Sequence, residues 1–231
     1  MKKKLTYLLL LTVPEFFLSC TLVAPVTNQY EKAATLKKGN TELMGHFTAY
    51  GGSGNGESEA INNNFGFRFG YGLSDKVDLK FRYERLVPSD NIDDEARGAN
   101  YFSLIPKFSL VPDKFSLLVP ISHYSAKGND VVNGEDDFDY SFSSAAPHLI
   151  YTFTGAKNKT DFSLGLKADI LFTGDGGAVL LGATAGAGLS SDLNKWAIRP
   201  EVGILSIGGG AFLSYGVGLQ FLLSKKRTNG Q

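Results

Sequence analysis

His123 and Ser125 have the residue types and the spacing needed for acyl transfer. Two-residue spacing places both side chains on one face of a β-strand, and Asp137 and Asp139 follow in the next polar stretch. A histidine beside a serine, oriented by an acid, can activate the hydroxyl as a nucleophile. The alternative, which we favour, is an interfacial histidine beside a serine at the end of a strand. We therefore assign no catalytic residue and predict that the chain is not an enzyme.

The two other histidines do not indicate a metal site. His46 and His148 lie far apart in the chain, and neither has further ligands nearby at the spacing of a metal site. The stretch 129–134 lacks the alternating ligands of an EF-hand loop. No metal and no cofactor is predicted.

The composition excludes several classes of protein. The 231 residues contain 23 Lys and Arg against 23 Asp and Glu, and this balance argues against a nucleic-acid-binding protein. The single cysteine excludes a disulfide scaffold and a cysteine-rich metal site. The 27 glycines, together with a mean hydropathy near zero, exclude both a disordered chain and a bundle of membrane helices.

The N-terminus has the features of an export signal, which we assign to residues 1–19. Three lysines at 2–4 precede the apolar run 5–13, which is far shorter than the ~20 residues of a membrane-spanning helix. The sequence Leu18-Ser19-Cys20 resembles the bacterial lipobox, in which the cysteine becomes the lipidated first residue of the mature chain. Cys20 is therefore the predicted lipidation site, and an ordinary secretory signal with an incidental cysteine is the alternative.

From residue 40 onward the hydrophobic pattern has a period of two. In the segment 77–84 every second residue is apolar and each residue between is charged, which is typical of a strand with one apolar and one polar face. Ten segments of this kind are long enough to cross hydrocarbon as tilted strands. They are 41–50, 62–73, 76–87, 99–110, 114–125, 140–153, 161–172, 178–189, 195–206 and 210–223. The predicted fold is an all-β, closed, antiparallel up-and-down transmembrane β-barrel of about ten strands, with eight or twelve as alternatives.

The connections between these segments alternate in length. Short turns are predicted at 74–75, 112–113, 155–158 and 191–194, and long, acidic loops at 51–61, 88–98 and 126–139. Short periplasmic turns and longer external loops are typical of bacterial outer-membrane barrels. We therefore predict an integral outer-membrane protein with both termini in the periplasm. Its parts are a lipidated tether at 20–39, a barrel at 40–224 and a basic tail at 225–231.

A soluble lipocalin-like barrel or sandwich is the alternative fold, with its apolar face inside. Two features argue against it. Glycines recur on the polar face, where a crowded lumen would need them. Aromatic residues gather towards the segment ends, as in interfacial girdles: Phe108, Phe115, Tyr151, Phe153, Phe162 and Trp196.

The chain resembles small bacterial outer-membrane β-barrel lipoproteins, in which a lipidated cysteine and a short tether precede the barrel. Cys20, the stretches 36–39 and 71–79, and the strand end 118–120 carry this resemblance, which implies a location and a fold. His123 and Ser125 also resemble the His-x-Ser pair of outer-membrane lipid A deacylases. Those enzymes are smaller barrels with Asn after the Ser, where this chain has Ala126.

If the apolar face meets lipid, the polar face fills the lumen. His46 lies on that face, together with a predicted polar network whose members carry charges of both signs. The network consists of Glu42, Arg68, Asp78, Lys80, Arg82, Glu84, Lys107, Lys167, Asp169, Arg199, Glu201 and Gln220. Eight strands leave an interior that side chains just fill, so about ten strands with long charged side chains should be mostly plugged.

These features predict a non-catalytic outer-membrane lipoprotein that acts as a structural or accessory subunit of an envelope assembly. A narrow porin-like channel for ions or small polar solutes is the alternative. A lipid A deacylase-like acyl hydrolase that uses His123 and Ser125 is a third hypothesis. The expected partners are outer-membrane lipid and other envelope proteins, and not nucleic acid.

Overall fold

The computed structural model describes residues 26–54, 57–89, 96–130, 135–155, 158–173, 176–207 and 210–224. The predicted export signal, Cys20 and the basic tail at 225–231 lie outside the described residues. The strands are β1 (Thr41–Gly54), β2 (Glu57–Gly72), β3 (Val77–Pro88), β4 (Ala96–Val111), β5 (Phe115–Leu118), β6 (Ile121–Asp130), β7 (Glu135–Ala145), β8 (His148–Thr154), β9 (Thr160–Thr173), β10 (Gly176–Leu189), β11 (Trp196–Ile207) and β12 (Gly210–Leu223). None of the described residues belongs to a helix long and apolar enough to cross a membrane.

All the strand pairings are antiparallel, and β1 pairs with β12 to close the sheet. β5 and β6 form one crossing, because both pair with β4. β7 and β8 form another, because both pair with β9. The twelve described strands therefore make a closed barrel of ten crossings, which confirms the predicted fold class.

The two divided crossings are interrupted at prolines, which the sequence analysis did not anticipate. Proline has no backbone N–H to donate to a ladder. The strand is interrupted at Pro120, between β5 and β6, and at Pro147, between β7 and β8. Carbonyls remain bonded at both points, since Ala146 N donates to Pro120 O at 2.9 Å and Ala168 N donates to Pro147 O at 3.1 Å. The strands are thus interrupted locally, but the wall stays closed.

The apolar faces of the strands point outward. Leu166 is 67% exposed, whereas Lys167 beside it is 4% exposed. Val217 and Gln220 show the same contrast, at 43% and 2%. A continuous apolar exterior of this size is suited to lipid and would be an aggregation surface in water. The soluble alternative, with an apolar interior, therefore does not fit the barrel.

Aromatic side chains line one end of the barrel exterior. We call it the inner end; there the chain turns between β2 and β3, β4 and β5, β8 and β9, and β10 and β11. Phe153 faces Phe162 across β8 and β9, and Phe115 faces Tyr151 across β5 and β8. Such rings suit the boundary between hydrocarbon and headgroups, as the sequence analysis predicted for these residues.

The turns at the inner end are short and locally stabilised. Between β10 and β11, the Asp192 carboxylate accepts a hydrogen bond from Asn194 N at 3.0 Å, and this bond lowers the pKa of Asp192. Lys195 lies 3.3 Å from the same carboxylate. Between β4 and β5, Asp113 adopts a φ of 60°, a left-handed conformation that Asp tolerates better than most residues.

At the opposite, outer end, two of the three predicted long loops are largely strand. β1 continues to Gly54 and β2 begins at Glu57, so the predicted loop at 51–61 is wrong. The stretch 126–139 is likewise a hairpin, with Asp130 opposite Glu135. Beyond the hydrocarbon both strand faces become polar, so the period-two signal ends while the backbone ladder continues. The third stretch, 88–98, is described only at its edges, with β3 ending at Pro88.

The face assignment predicts a depth-dependent cost for outward charges. Leu166→Arg, near the middle of β9, should lower barrel stability by about 2–4 kcal/mol. Leu189→Arg, outward at the end of β10, is the matched control and should cost about 0–1 kcal/mol. Urea unfolding from lipid vesicles measures both. Equal costs at the two positions would contradict the assignment of a lipid-facing belt.

Candidate functional site: the filled lumen

Residues 26–36, which we call the lumen segment, lie inside the barrel. Asn28 and Ala33 are both 0% exposed. The sequence analysis predicted a tether over 20–39. The described part of it that lies in the lumen, 26–36, is extended, with a bend at 33–34. Period-two patterning locates the wall of a barrel, but it carries no signal for a non-strand segment that fills the interior.

The lumen segment runs from the outer half of the barrel to the inner end. Val26 packs with Leu86, which lies towards the outer end of β3, and with Tyr124 in β6. Leu36 N donates to the Asp78 carboxylate at 3.0 Å, and Asp78 lies at the inner start of β3. An extended chain thus crosses much of the lumen before it enters β1.

Acceptor groups of the barrel bind the backbone N–H groups of the lumen segment. The Glu201 carboxylate accepts from Gln29 N at 2.6 Å and from Tyr30 N at 2.9 Å. Thr152 Oγ1 accepts from Ala33 N at 2.7 Å. A buried N–H without a partner is costly, so these contacts allow the segment to stay extended without strand pairing.

Cationic side chains of the barrel bind the carbonyl oxygens of the same segment. Arg82 donates to Asn28 O at 2.6 Å, and Lys167 donates to Val26 O at 2.8 Å. Lys107 Nζ donates to two carbonyls, those of residues 32 and 34, at 2.6 and 2.7 Å. Charged donors make stronger hydrogen bonds than neutral ones, so the cations of the wall hold the segment in place.

Glu31 is the acidic centre of the lumen segment. Its carboxylate lies 3.1 Å from Arg68 Nη2 and 3.0 Å from Lys107 Nζ, and it accepts a hydrogen bond from Lys80 Nζ. A buried carboxylate is costly unless it is paired or hydrogen-bonded, and here the partners are cations. Glu31 therefore forms ion pairs with three cations that come from three adjacent strands, β2, β3 and β4.

Glu42 belongs to the same cluster and links it to the far side of the β1–β12 seam. Its carboxylate accepts from Arg68 Nε at 2.7 Å and from Lys80 Nζ at 3.1 Å. It also accepts from Gln220 Nε2 at 2.6 Å. Gln220 in turn accepts from Arg199 Nε at 2.7 Å. The polar network thus continues without a break from β3 through β1 and β12 to β11.

Two further groups complete the network. Glu84 binds Arg82, accepts from Asn64 Nδ2 at 2.8 Å and lies 2.8 Å from His46 Nε2. Arg199 forms a bidentate pair with Asp161, at 2.9 and 3.0 Å, a geometry that suits a guanidinium and a carboxylate. The contact between Glu84 and His46 joins β3 to β1, and the pair of Arg199 with Asp161 joins β11 to β9. Each therefore spans an intervening strand.

The twelve residues of the predicted polar network all lie in the lumen and are buried. They meet along the wall and through the lumen segment. Asp78 and Glu201 bind the segment's backbone, and Lys167 lies 2.7 Å from Asp169. Sequence reasoning missed Asp161, although it is in phase with 163, 165, 167 and 169 on the polar face of β9.

Inward-facing glycines make the longer pairs possible. Gly66 lies in register between His46 and Glu84, and Gly188 lies between Asp161 and the position of Arg199. A Cβ on Gly66 would be 2.5 Å from His46 Nε2, and one on Gly188 would be 2.6 Å from an Asp161 carboxylate oxygen. Where the middle strand has a glycine, the side chains of the two flanking strands can bond to each other across it.

An apolar layer fills the outer half of the lumen, next to Val26. It consists of two clusters of inward-facing side chains, which sequence analysis did not anticipate because it treated the inner face as polar throughout. The members are Tyr50, Ile61, Leu180, Leu205 and Phe212 in one cluster, and Val26, Leu86, Ala99, Tyr101, Tyr124 and Phe142 in the other. The two apolar clusters thus pack the outer half of the described lumen. The segment and its polar partners fill the inner half, together with a smaller apolar cluster of Ala33, Ile105, Leu118 and Ile150.

The candidate acyl-transfer pair is not assembled. His123 is exposed on the barrel exterior, and its Nδ1 lies 3.3 Å from Ser143 Oγ on β7. No contact joins His123 to Ser125 in the described structure, and the side chains of Asp137 and Asp139 lie outside what is described. No group of three or more described His, Cys, Asp or Glu residues is placed to hold a metal ion.

Comparison with known proteins supports the fold. No protein-family model matches the sequence, and a search of curated proteins found no match. Among solved structures, the translocator domain of the autotransporter NalP from Neisseria meningitidis is similar, with a TM-score of 0.50 and 9% identity over 79% of this chain and 88% of that one. Ail of Yersinia pestis, the attachment invasion locus protein, has a TM-score of 0.40 and 11% identity over 80% and 99%. The KdgM porin has a TM-score of 0.40 and 13% identity over 79% and 98%. The fold is that of bacterial outer-membrane β-barrels.

The position of Gly66 between two bonded side chains predicts that two Gly→Ala variants differ sharply in stability. Gly66→Ala should lower stability by about 1–3 kcal/mol, because its methyl group overpacks the bond between His46 and Glu84. Gly45→Ala is the control, since Gly45 is outward and a Cβ there meets no atom within 4 Å. It should leave the free energy of unfolding in lipid vesicles unchanged or slightly raised. A tolerated Gly66→Ala would mean that the lumen is loosely packed.

Proposed function

We propose that the chain is an integral outer-membrane β-barrel lipoprotein that its own lumen segment closes, and that it acts without catalysis as a structural or accessory subunit of an envelope assembly. The observation that carries this proposal is the burial of residues 26–36 in the lumen, with backbone groups and Glu31 bound by the wall. Side chains alone just fill a barrel of eight strands. Two more crossings provide room that one extended chain fills.

The arrangement supports a closed barrel more than a conduit. A restricted pore needs a continuous aqueous path, and in the described lumen the polar half is occupied by the segment while the outer half is packed with apolar side chains. At the inner end a cavity of about 380 Å³ opens between the segment and the turns, lined by Lys32, Thr35, Asn158 and Asn194 among others. This vestibule favours the narrow channel as the second candidate, should the segment leave the lumen.

The exterior supports lipid as the first partner. Leucine, valine and phenylalanine side chains cover the outer face. We propose that the inner end faces the periplasm, as short turns do in outer-membrane barrels. Capture from mildly solubilised membranes, followed by mass spectrometry, tests the accessory role: a stoichiometric envelope protein supports it, and recovery of the barrel alone contradicts it.

The direction of the lumen segment changes the expected position of the lipid anchor. Val26 lies in the outer half of the barrel, and six extended residues span at most ~21 Å. A Cys20 anchor therefore reaches the outer end more readily than the inner one. We propose that the Cys20 anchor lies at the outer end of the barrel, in place of the periplasmic position expected from the sequence.

Closure by the lumen segment predicts silence in planar bilayers. Refolded full-length protein should show no discrete conductance. A variant lacking residues 26–36 should conduct, because its inner half is then empty and the outer apolar layer loses Val26, which packs in one of its two clusters. Deletion of 225–231 is the control and should leave the protein silent. Circular dichroism verifies that each variant has folded. Clear conductance of the wild-type protein would contradict the closed barrel and favour the channel.

Lipidation predicts a specific loss of labelling. Cys20→Ser should abolish incorporation of radioactive palmitate and leave uncleaved precursor, because Cys20 is the only cysteine. Thr21→Ser, at the neighbouring position, should label normally. Unchanged labelling of Cys20→Ser would contradict the lipoprotein assignment. With an ordinary secretory signal in place of 1–19, the free thiol should react with an impermeant maleimide on intact cells; reaction only after the outer membrane is opened would place the anchor in the periplasm.

A further inference from the structure

We propose that the barrel lumen is a binding site for an extended peptide carrying one acidic side chain, and that residues 26–36 are its resident ligand. This inference rests on the proposed closure by the lumen segment. It goes beyond that closure, because it treats the wall as a receptor that recognises the segment by contacts that another peptide of the same pattern can make.

The wall recognises mainly the backbone of the segment. Glu201 accepts hydrogen bonds from two successive backbone N–H groups, those of Gln29 and Tyr30. Arg82 donates to the backbone carbonyl of the preceding residue, Asn28. Further backbone contacts follow the same pattern, with hydroxyl and carboxylate oxygens on N–H groups and cations on carbonyls. They involve Tyr124, Tyr50, Thr152 and Asp78 as acceptors, and Arg68, Lys107 and Lys167 as donors.

These contacts differ from those of a sheet. The segment belongs to none of the described strands, and its backbone bonds to side chains of the wall. Every non-proline residue offers one N–H and one C=O in an extended chain. The same wall groups are therefore available to any extended peptide that enters in this direction, just as main-chain bonds provide affinity in other modes of peptide recognition.

Selectivity for the peptide sequence comes from three side chains of the segment, those of Asn28, Tyr30 and Glu31. Asn28 Nδ2 donates to Glu201 O at 2.8 Å, and Ser214 donates to Asn28 Oδ1. The Tyr30 hydroxyl donates to Phe47 O at 2.9 Å. Glu31 binds the cluster formed by Arg68, Lys80 and Lys107, described above. The lumen thus selects an Asn-x-Tyr-Glu pattern, in which the acidic residue contributes most because its loss leaves buried cations under-compensated.

Lys32 provides the internal contrast. It is adjacent to Glu31, but among the described residues no carboxylate lies within ion-pair distance of its ammonium group. Its side chain lines the vestibule of about 380 Å³ at the inner end. The peptide position next to the acidic one therefore opens towards the inner mouth, which is also the route by which a separate peptide can enter.

The experiment uses the full chain lacking residues 26–36, refolded in lipid vesicles, and a synthetic, fluorescently labelled peptide of residues 26–36. The peptide should bind and suppress the conductance of the deletion variant. A peptide with Glu31→Gln should bind at least about tenfold more weakly, as expected for loss of charge-assisted hydrogen bonds. A peptide with Lys32→Gln should bind within about threefold of the original.

The outcomes separate this inference from the proposed function. If the deletion variant conducts and the peptide neither binds nor suppresses conductance, the peptide site is overturned while the closed barrel stands. Equal binding of the Glu31→Gln and Lys32→Gln peptides overturns the acidic selectivity. Conductance of the intact protein overturns the closed barrel itself.

A second variant covers the case in which the deletion prevents folding. A specific protease site placed at Lys37–Lys38, an exposed pair at the inner end, allows the segment to be cut after the barrel has folded around it. Exchange of the cut segment for labelled peptide then supports the site. Retention of the cut segment without exchange, even with excess peptide over days, overturns the proposed exchangeable ligand.

Discussion

A polar group buried inside this barrel is costly unless it has a partner, and most such groups find one within the protein. The requirement extends to the backbone of residues 26–36, which pairs with no strand. Glu201 meets it for two successive N–H groups, and Lys107 meets it for two carbonyls. The lumen segment and the charged wall therefore depend on each other: the wall satisfies the backbone, and Glu31 compensates the cations of the wall.

The glycines follow from the same requirement. Inward side chains on adjacent strands would crowd a lumen that also holds an extended chain. Gly66 and Gly188 remove one side chain each, and the residues on either side bond across the gap. The outer half solves the problem in the opposite way, because it replaces polar groups with Tyr50, Phe142 and their apolar neighbours. Polar groups in the inner half of the lumen have partners, and apolar side chains pack the outer half. This filled lumen is the reason why a structural role is the favoured proposal.

Much of the wall could be predicted from the sequence, for a physical reason. Side chains alternate strictly along a strand, so a lipid-facing and a lumen-facing set separate by parity alone. That is why the positions of ten crossings and the burial of Arg82 and Glu84 followed from local pattern. Parity fails where both faces are polar, as in the hairpin that contains Gly54 and Glu57, and it does not register the prolines that divide two crossings.

What the sequence by itself determined is the class of fold, the orientation of the strand faces and the identity of the charges that the lumen would have to accommodate. Only the tertiary structure decided what accommodates them. Glu31 has no periodic signal, because it lies in a segment that is neither strand nor helix. Its three cations lie far from it in the chain and reach it only when the barrel closes. Strand parity is a local property of the backbone, whereas the pairing of buried charges depends on which segments closure brings together.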